Sequence, residues 1–517
     1  MILVHPHQIP EIDKYASQKL GIPTQTLMYR AGMAVAKAVI LYVKDKEKAR
    51  VSVFAGKGNN GGDGYAAALE LMKNCRVTVY DVFSEGQRSE EGKHFLNAYL
   101  DKGGIVEPLT FDDKQLSDIR SSDCIVDAVF GTGYSGDLPE IAQKLIELFA
   151  ALDGVKKVAI DVPLGINSEL GTLTSSTVYS ADATVVLGFL KIGLVSYPAK
   201  KYVGKFIYDN IGLQNEGIIS SFELDSYYTD IETASSLIPS RTSDSHKGSY
   251  GRLLMITGSS TYPGAAHLSL EAALRSGVGY VTYLGEKSMC DSLLSKLPEA
   301  IYKPVSLTNL TDAEILKNAD KHSAILIGSG LGQDNADALY SSVSLLLSTE
   351  GSPLILDADA INVLSKDPIA ARRLIGNSKR SVILTPHPLE LSRLTGLSVD
   401  EIQRNRLAVA KSFADSCQCV LVLKGAGTIV TDGNETYINS TGSSALAKAG
   451  SGDVLAGHLS ALVASGMSPL HASALAVYLH GIAADTLAGE LSEFGVIPSD
   501  LPKEIARQIN ILSTKHQ

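Results

Sequence analysis

Cysteine is scarce in this chain. Five occur among 517 residues, Cys75, Cys124, Cys290, Cys417 and Cys419. An odd, thinly spread set excludes a disulfide scaffold, and no pair has zinc-ligand or C-x-x-C spacing. Cys417-Gln418-Cys419 is too tight for either. These residues read as small buried hydrophobes in a reducing compartment, so a cytoplasmic location is expected. An excess of positive charge is also missing. Against 56 acidic side chains stand 46 basic ones, a formal net charge of −10. No global basic field is present to hold nucleic acid or an anionic membrane, and neither is expected as a partner. The start, Met1-Ile2-Leu3-Val4-His5-Pro6, lacks the basic region of a signal peptide. Residues 454–484 contain no Asp, Glu, Lys or Arg. Gly466 to Pro469 breaks that run into two segments, each expected to be a buried helix too short to span a membrane.

What is present is ordinary for a globular protein: 45% hydrophobic and 20% charged residues. The length predicts two domains or more. Apolar, β-branched runs recur at 51–55, 77–80, 124–129 and 158–161, with helix-length stretches between them. Thr24 to Val43 reads as a helix ahead of them. Continuous apolar strands alternating with helices predict a parallel sheet covered on both faces. Around Leu213 to Arg241 the pattern dissolves. It restarts at 253–256, 324–327, 354–356, 382–384 and 420–423, with a helix over 264–276. The fold class is therefore α/β in two domains, 1–220 and 221–517, without short tandem repeats.

Ligands of open parallel sheets sit beyond the carboxyl ends of the strands, and the unusual residues collect there. After strand 51–55 comes Gly56-Lys57-Gly58-Asn59-Asn60-Gly61-Gly62-Asp63-Gly64, read as a loop feeding a helix from Tyr65. So many glycines imply close approach or positive φ, and a glycine-rich turn offers N–H groups to an anion. Asp127 precedes Gly131-Thr132-Gly133-Tyr134-Ser135-Gly136-Asp137. Asp161 ends the next strand, before Val162-Pro163-Leu164-Gly165. Together these predict a pocket for a polar, phosphate-bearing ligand, with oxygen donors suited to a hard cation. In the second half, Lys424-Gly425-Ala426-Gly427-Thr428 follows strand 420–423. Then Gly450-Ser451-Gly452-Asp453 opens the uncharged helix. Such a turn can form an anion hole for a transferring phosphoryl group. A carboxylate there can take the proton of an attacking hydroxyl.

These motifs resemble a known family. G-x-G-N-N-G-G-D-G, V-D-A-x-F-G-T-G and I-D-V-P-x-G are similar to NAD(P)H-hydrate epimerases, whose domain is Rossmann-like. In the second half the motifs are Asp244 to Gly251, Tyr262 to Ala266, Gly328 to Gly332, Asp357 to Ala360, Thr385 to Glu390, Lys424 to Thr428 and Gly450 to Asp453. They are similar, in order, to the ribokinase-like NAD(P)H-hydrate dehydratases. Both together resemble the bifunctional NAD(P)H-hydrate repair enzymes over nearly the whole chain.

The resemblance implies that the first domain interconverts the R and S epimers of NADH-hydrate and NADPH-hydrate. The second dehydrates the S epimer at the expense of ADP (or ATP), giving AMP and phosphate, with magnesium accompanying the nucleotide. Asp453 would be the base, and Gly450 to Gly452 the donors to the moving phosphoryl. Lys424, Gly425, Ala426, Gly427, Thr428 and Gly452 would hold the nucleotide, and Ala265, Gly330, His387 and Asp453 the hydrate. In the epimerase, Asn59, Asn60, Gly61, Gly62, Asp63, the segment Gly131 to Asp137 and Asp161 would bind the hydrate, with Asp161 as acid/base. Asn60 and Asp127 would ligate potassium. The family's hydroxyl residue at D-[IV]-P-S-G is Leu164 here, so only its backbone carbonyl could contribute. A homo-oligomer is expected. Two other readings are a ribokinase-like small-molecule kinase with an accessory nucleotide-binding domain, and a nucleotide-sensing or partner-binding module without catalysis.

Overall fold

The computed structural model describes residues 1–83, 88–134, 136–222, 224–306 and 311–514. The chain divides into two compact units, Ile2–Ser226 and Tyr227 onward, Met1 grouping with the second.

The first unit is built on a seven-stranded sheet. From edge to edge its strands are Ile105–Pro108, Arg76–Asp81, Arg50–Ala55, Cys124–Ala128, Lys156–Ile160, Ala183–Leu187 and Lys205–Asp209, all parallel. The chain runs outward from Arg50–Ala55, then returns to the other side of that strand. The point of return, between Arg50–Ala55 and Cys124–Ala128, is the crevice where such sheets bind ligands. Helices Thr24–Tyr42 and Asn59–Leu71 lie over one face, burying Val35, Val39, Tyr65 and Leu71 against the sheet's Val53, Val79 and Val126. Each such aliphatic side chain contributes ~1.5–3 kcal/mol of transfer free energy.

The second unit carries parallel strands in the order Ile301–Pro304, Tyr280–Gly285, Arg252–Ile256, Ala324–Ile327, Leu354–Leu356, Val382–Leu384 and Val420–Leu423. Antiparallel Ile429–Thr431 and Thr436–Asn439 extend it. Its switch point lies between Arg252–Ile256 and Ala324–Ile327. The uncharged run forms helices Ser451–Ala464 and Pro469–Gly495, broken at Gly466 where φ is +98°. The second is longer than the sequence suggested, continuing through Asp485 and Glu490 with a non-helical Ser492. No helix among the described residues is long and apolar enough to cross a membrane. All five cysteines are free and buried.

Three local expectations are corrected. The region 213–241 is not irregular: it holds helix Glu216–Ser221, strand Ser226–Thr229 and helix Ile231–Leu237, too short to show periodicity. Strand 158–161 ends at Ile160, leaving Asp161 just outside it. The helix expected from Tyr65 begins at Asn59, so Gly61, Gly62 and Gly64 are helical. Their role is close approach. A Cβ on Gly61 would sit 1.8 Å from the Gly56 carbonyl oxygen, and one on Gly64 2.6 Å from Ala128 Cβ. Gly61→Ala is therefore expected to destabilise the first unit by about 3 kcal/mol, the upper end of overpacking costs. Urea unfolding should show it as a lower midpoint at unchanged slope.

Candidate active sites

At the first switch point the asparagine helix meets the loop after Cys124–Ala128. Asn60 is buried, its Nδ2 donates to the Phe130 carbonyl at 2.9 Å, and its Oδ1 has no protein partner. A Cβ on Gly131 would lie 3.3 Å from the Asn60 side chain, so the two motifs touch. Tyr134 stacks on Phe130 at 3.9 Å between centroids, and its hydroxyl donates to the Asp137 carbonyl at 2.6 Å. Asn59 is exposed at the mouth, as are Gly133, Gly136 and Asp137, while Thr132 is half-buried. Ser135 lies outside the described residues.

Asp127 is fully buried and its carboxylate is heavily used. It accepts from Tyr179 Oη at 2.6 Å, from the Leu164 N–H at 2.7 Å and from the Val129 N–H at 3.1 Å. Burial raises its pKa, and those three bonds oppose the rise. Its clear role is to fasten the turn after Ile160 to the neighbouring strand. The Leu164 side chain is packed in the apolar cluster with Ile146 and Phe149. Oxygen donors for a cation therefore reduce to Asn60 Oδ1 and backbone carbonyls, with Asp127 available only through its remaining lone pairs.

Beyond this lies a charge cluster that the sequence only half disclosed. Asp161, at φ +64°, forms a buried ion pair with Lys191. A non-glycine residue held there stores backbone strain, which collects at functional sites. Lys191 Nζ also donates to the Leu187 carbonyl at 3.2 Å. Asp63 and Asp13 face the same pair. Burial, then Asp161 and Asp13, push Asp63 well above the usual carboxylate range. Burial pushes Asp13 up to about 6 against the pull of Lys191. Three carboxylates thus share one ammonium. Lys191 had a signal: it is the sole charge in the apolar run 183–195. Asp13 had none.

In the second unit Asp453 stands in the first turn of Ser451–Ala464, behind Gly450 at φ +101°. Only glycine takes that left-handed turn without cost. Ser451 N–H is engaged with the Lys448 carbonyl at 3.3 Å, so the anion-hole donors are those of Gly452 and Asp453, without partners one turn back. A Cβ on Gly452 would sit 3.6 Å from Lys424 Nζ. Lys424 reaches Asp357 Oδ1 at 3.2 Å and Glu390 Oε2 at 4.0 Å. Burial works to lower the lysine pKa, but Asp357, Glu390 and Asp453 outweigh it and raise it. Burial and Asp357 push Asp453 up to about 7. Asp357, Glu390 and Arg406 are the site residues the sequence reading did not assign. Asp357 is fixed by Thr385 Oγ1 at 2.6 Å and Ser329 Oγ at 2.8 Å. Burial raises the Glu390 pKa. Arg406 caps the end of strand Val420–Leu423 through the Leu423 and Lys424 carbonyls.

Lys424 to Thr428 is the hairpin turn between antiparallel strands, with Gly425 at φ +140° and Gly427 at φ +61°. Ala426 is exposed at its tip, and Thr428 Oγ1 closes the turn onto the Gly425 carbonyl at 2.9 Å. At the switch point, a Cβ on Gly330 would fall 2.4 Å from Ala265 Cβ, so these two motifs adjoin. His387 caps helix Pro388–Thr395, its Nδ1 accepting from the Glu390 N–H at 3.2 Å, and its Nε2 lies 3.3 Å from Glu390 Oε1. Burial, Lys424 and Arg393 lower its pKa. Its ring is half-exposed.

Comparison with known proteins bears on both units. A family model described as NAD(P)H-hydrate dehydratase matches residues 253–507, and one described as YjeF-related protein N-terminus matches 24–193. The bifunctional NAD(P)H-hydrate repair enzyme Nnr of Moorella thermoacetica is 32% identical, covering 97% of this chain and 95% of that one. The chain belongs to the bifunctional NAD(P)H-hydrate repair enzyme family. The Nnr of Coxiella burnetii is 34% identical over 97% of this chain and 98% of its own. A solved Bacillus subtilis structure, titled an ADP/ATP-dependent NAD(P)H-hydrate dehydratase co-crystallized with ATP/Mg2+, is 34% identical. It covers 55% of this chain and 98% of that chain at a TM-score of 0.49. For a bifunctional NAD(P)H-hydrate repair enzyme, the Asp63–Asp161–Lys191 cluster falls within the first matched segment, whereas Asp13 precedes it. The Asp357–Lys424–Asp453 group falls within the second.

Proposed function

We propose that the chain repairs hydrated nicotinamide cofactors, the unit ending at Ser226 acting as NAD(P)H-hydrate epimerase and the following unit as ADP-dependent dehydratase. The observation that carries this is Asp453, a carboxylate brought to a pKa of about 7 at a helix N-terminus, beside Lys424. Hydroxide is a poor leaving group and phosphate a good one. Asp453 takes the proton of the substrate hydroxyl as that oxygen attacks the terminal phosphorus of ADP. The bond to the AMP oxygen breaks while the Gly452 and Asp453 N–H groups and Lys424 meet the developing charge. Phosphate then leaves the ring carbon with the C–O electron pair, and the neighbouring carbon gives up a proton to solvent, which restores the nicotinamide double bond. Magnesium accompanying the nucleotide would find hard oxygen donors in Asp357, Asp359 and Glu390. Ala265, Gly330 and His387 border the place for the hydrate.

In the epimerase, the ring hydroxyl leaves and water returns to either face. Asp161, paired with Lys191, orients the reacting carbon and accepts the proton of the returning water. Asp63, whose pKa burial and its acidic neighbours raise, supplies the proton to the departing hydroxyl, and the proton that Asp161 takes from the returning water passes back to Asp63. Potassium would supply charge beside the substrate phosphates, held through Asn60 Oδ1 and backbone carbonyls. The unpartnered oxygen of Asn60 supports that placement. Replacing potassium by tetramethylammonium is expected to slow epimerisation of the wild type, and Asn60→Ala to abolish the difference. Equal rates of wild type in both salts would remove the ion from the account.

Phosphorus NMR of a turnover mixture tests the reaction class. Free phosphate and AMP, formed in equal amounts with reduced cofactor, support dehydration. A stable phosphorylated hydrate would make the second unit a kinase.

A further inference from the structure

The strand Ile2–Val4 runs parallel to Leu190–Lys191, with Val4 opposite Lys191. His5 is the next residue. From another part of the chain, the Ser168 carbonyl accepts from the Gly193 N–H at 2.8 Å. An Asx turn follows, in which Asn167 Oδ1 accepts from the Glu169 and Leu170 N–H groups at 2.9 Å. Two backbone attachments to the segment 190–193 thus bring together residues 164 positions apart. His5 Nδ1 lies 2.6 Å from Glu169 Oε1. The short turn Pro6–Gln8 then carries His7 back over the same point, its ring stacked on that of His5 at 5.4 Å. The ligand atoms of His5, His7 and Glu169 all lie within 4.8 Å of one another.

We propose that His5, His7 and Glu169 form a binding site for a divalent transition-metal ion of the zinc type. Two imidazoles and a carboxylate are the donor set of zinc, nickel and cobalt. Magnesium, calcium and potassium prefer oxygen alone. Three protein donors leave a coordination position open to solvent. A simple hydrogen bond accounts for His5 and Glu169 but gives His7 no part. Both histidines precede the segment matched by the family model, and Glu169 lies within it. It plays no part in either reaction derived above, although Val4 sets it one residue beyond Lys191.

The test uses full-length protein, stripped with a chelator and desalted, then titrated calorimetrically with zinc chloride at neutral pH. One zinc per chain is expected, with affinity falling on acidification as the imidazoles protonate. His7→Ala removes an exposed side chain, so the fold is kept, and affinity is expected to fall at least about tenfold. Glu169→Gln retains a hydrogen-bond partner for His5 while removing the anionic ligand, and should weaken zinc similarly. His94→Ala, at an exposed position elsewhere in the same unit, should change nothing. Absence of stoichiometric zinc binding by the wild type, or binding that His7→Ala leaves intact, overturns the proposal.

Discussion

Asp453→Asn is expected to lower dehydratase turnover about a hundred- to ten-thousandfold, the span of a positioned general base, while ADP still binds. The amide keeps the shape of the carboxylate and the helix turn but cannot take the hydroxyl proton. Binding measured by calorimetry, beside turnover measured from phosphate release, separates this from a collapse of the site. The wild-type pH profile carries the same information. The base works when deprotonated, and burial beside Asp357 places that deprotonation near 7 rather than near 4. The rate with saturating ADP should therefore climb as pH rises through about 7 and level off above it. A profile flat from pH 5 to pH 8, at about full rate, would assign the proton transfer to another group. A nucleotide sensor would show binding in both proteins and turnover in neither.

Lys191→Met is expected to abolish epimerisation and to lower the melting temperature of the first unit. Removing one partner of a buried pair leaves the other uncompensated, at a cost of about 3–5 kcal/mol. In a domain of this size that is about 6–20 °C. Dehydration of pure S epimer should be unaffected, which makes it the internal control. Since instability alone could silence the epimerase, the second variant pairs Lys191→Met with Asp161→Asn. The buried charge is then gone from both sides, and asparagine tolerates the φ of +64° at that position. Stability should largely return while epimerisation stays absent. Recovery of epimerisation in the double variant would show that the pair serves folding alone.

The legible parts of this protein are those where one side chain's chemistry and its neighbours' periodicity agree. Strands Ala324–Ile327, Leu354–Leu356, Val382–Leu384 and Val420–Leu423 are unbroken apolar runs because both faces are covered, and the sequence shows them at their true bounds. Edge strands are different. Ile105–Pro108 and Ile301–Pro304 expose Ile105 and Ile301 and mix polar with apolar residues, so no period marks them. The strand-end acids Asp127 and Asp161 stand out because a charge after an apolar run needs a partner. Their partners do not stand out. Tyr179 and Lys191 reach them only through the parallel crossovers of the sheet. The glycines between Gly56 and Gly64 announce a special backbone, yet their meaning is helix-on-strand contact rather than an extended loop. Asp357 and Glu390 lie within recognisable motifs, but only the fold reveals that they converge on Lys424.

The most direct measurement of the two-site account is reduced-nicotinamide absorbance over time, with an equal mixture of R and S NADH-hydrate, with and without ADP. Complete conversion of both epimers with ADP, and none without it, is the predicted result. Conversion that stops at half and then creeps forward at the rate of the uncatalysed epimerisation would contradict the assignment of the first unit. No conversion with ADP or ATP would contradict the assignment of the second.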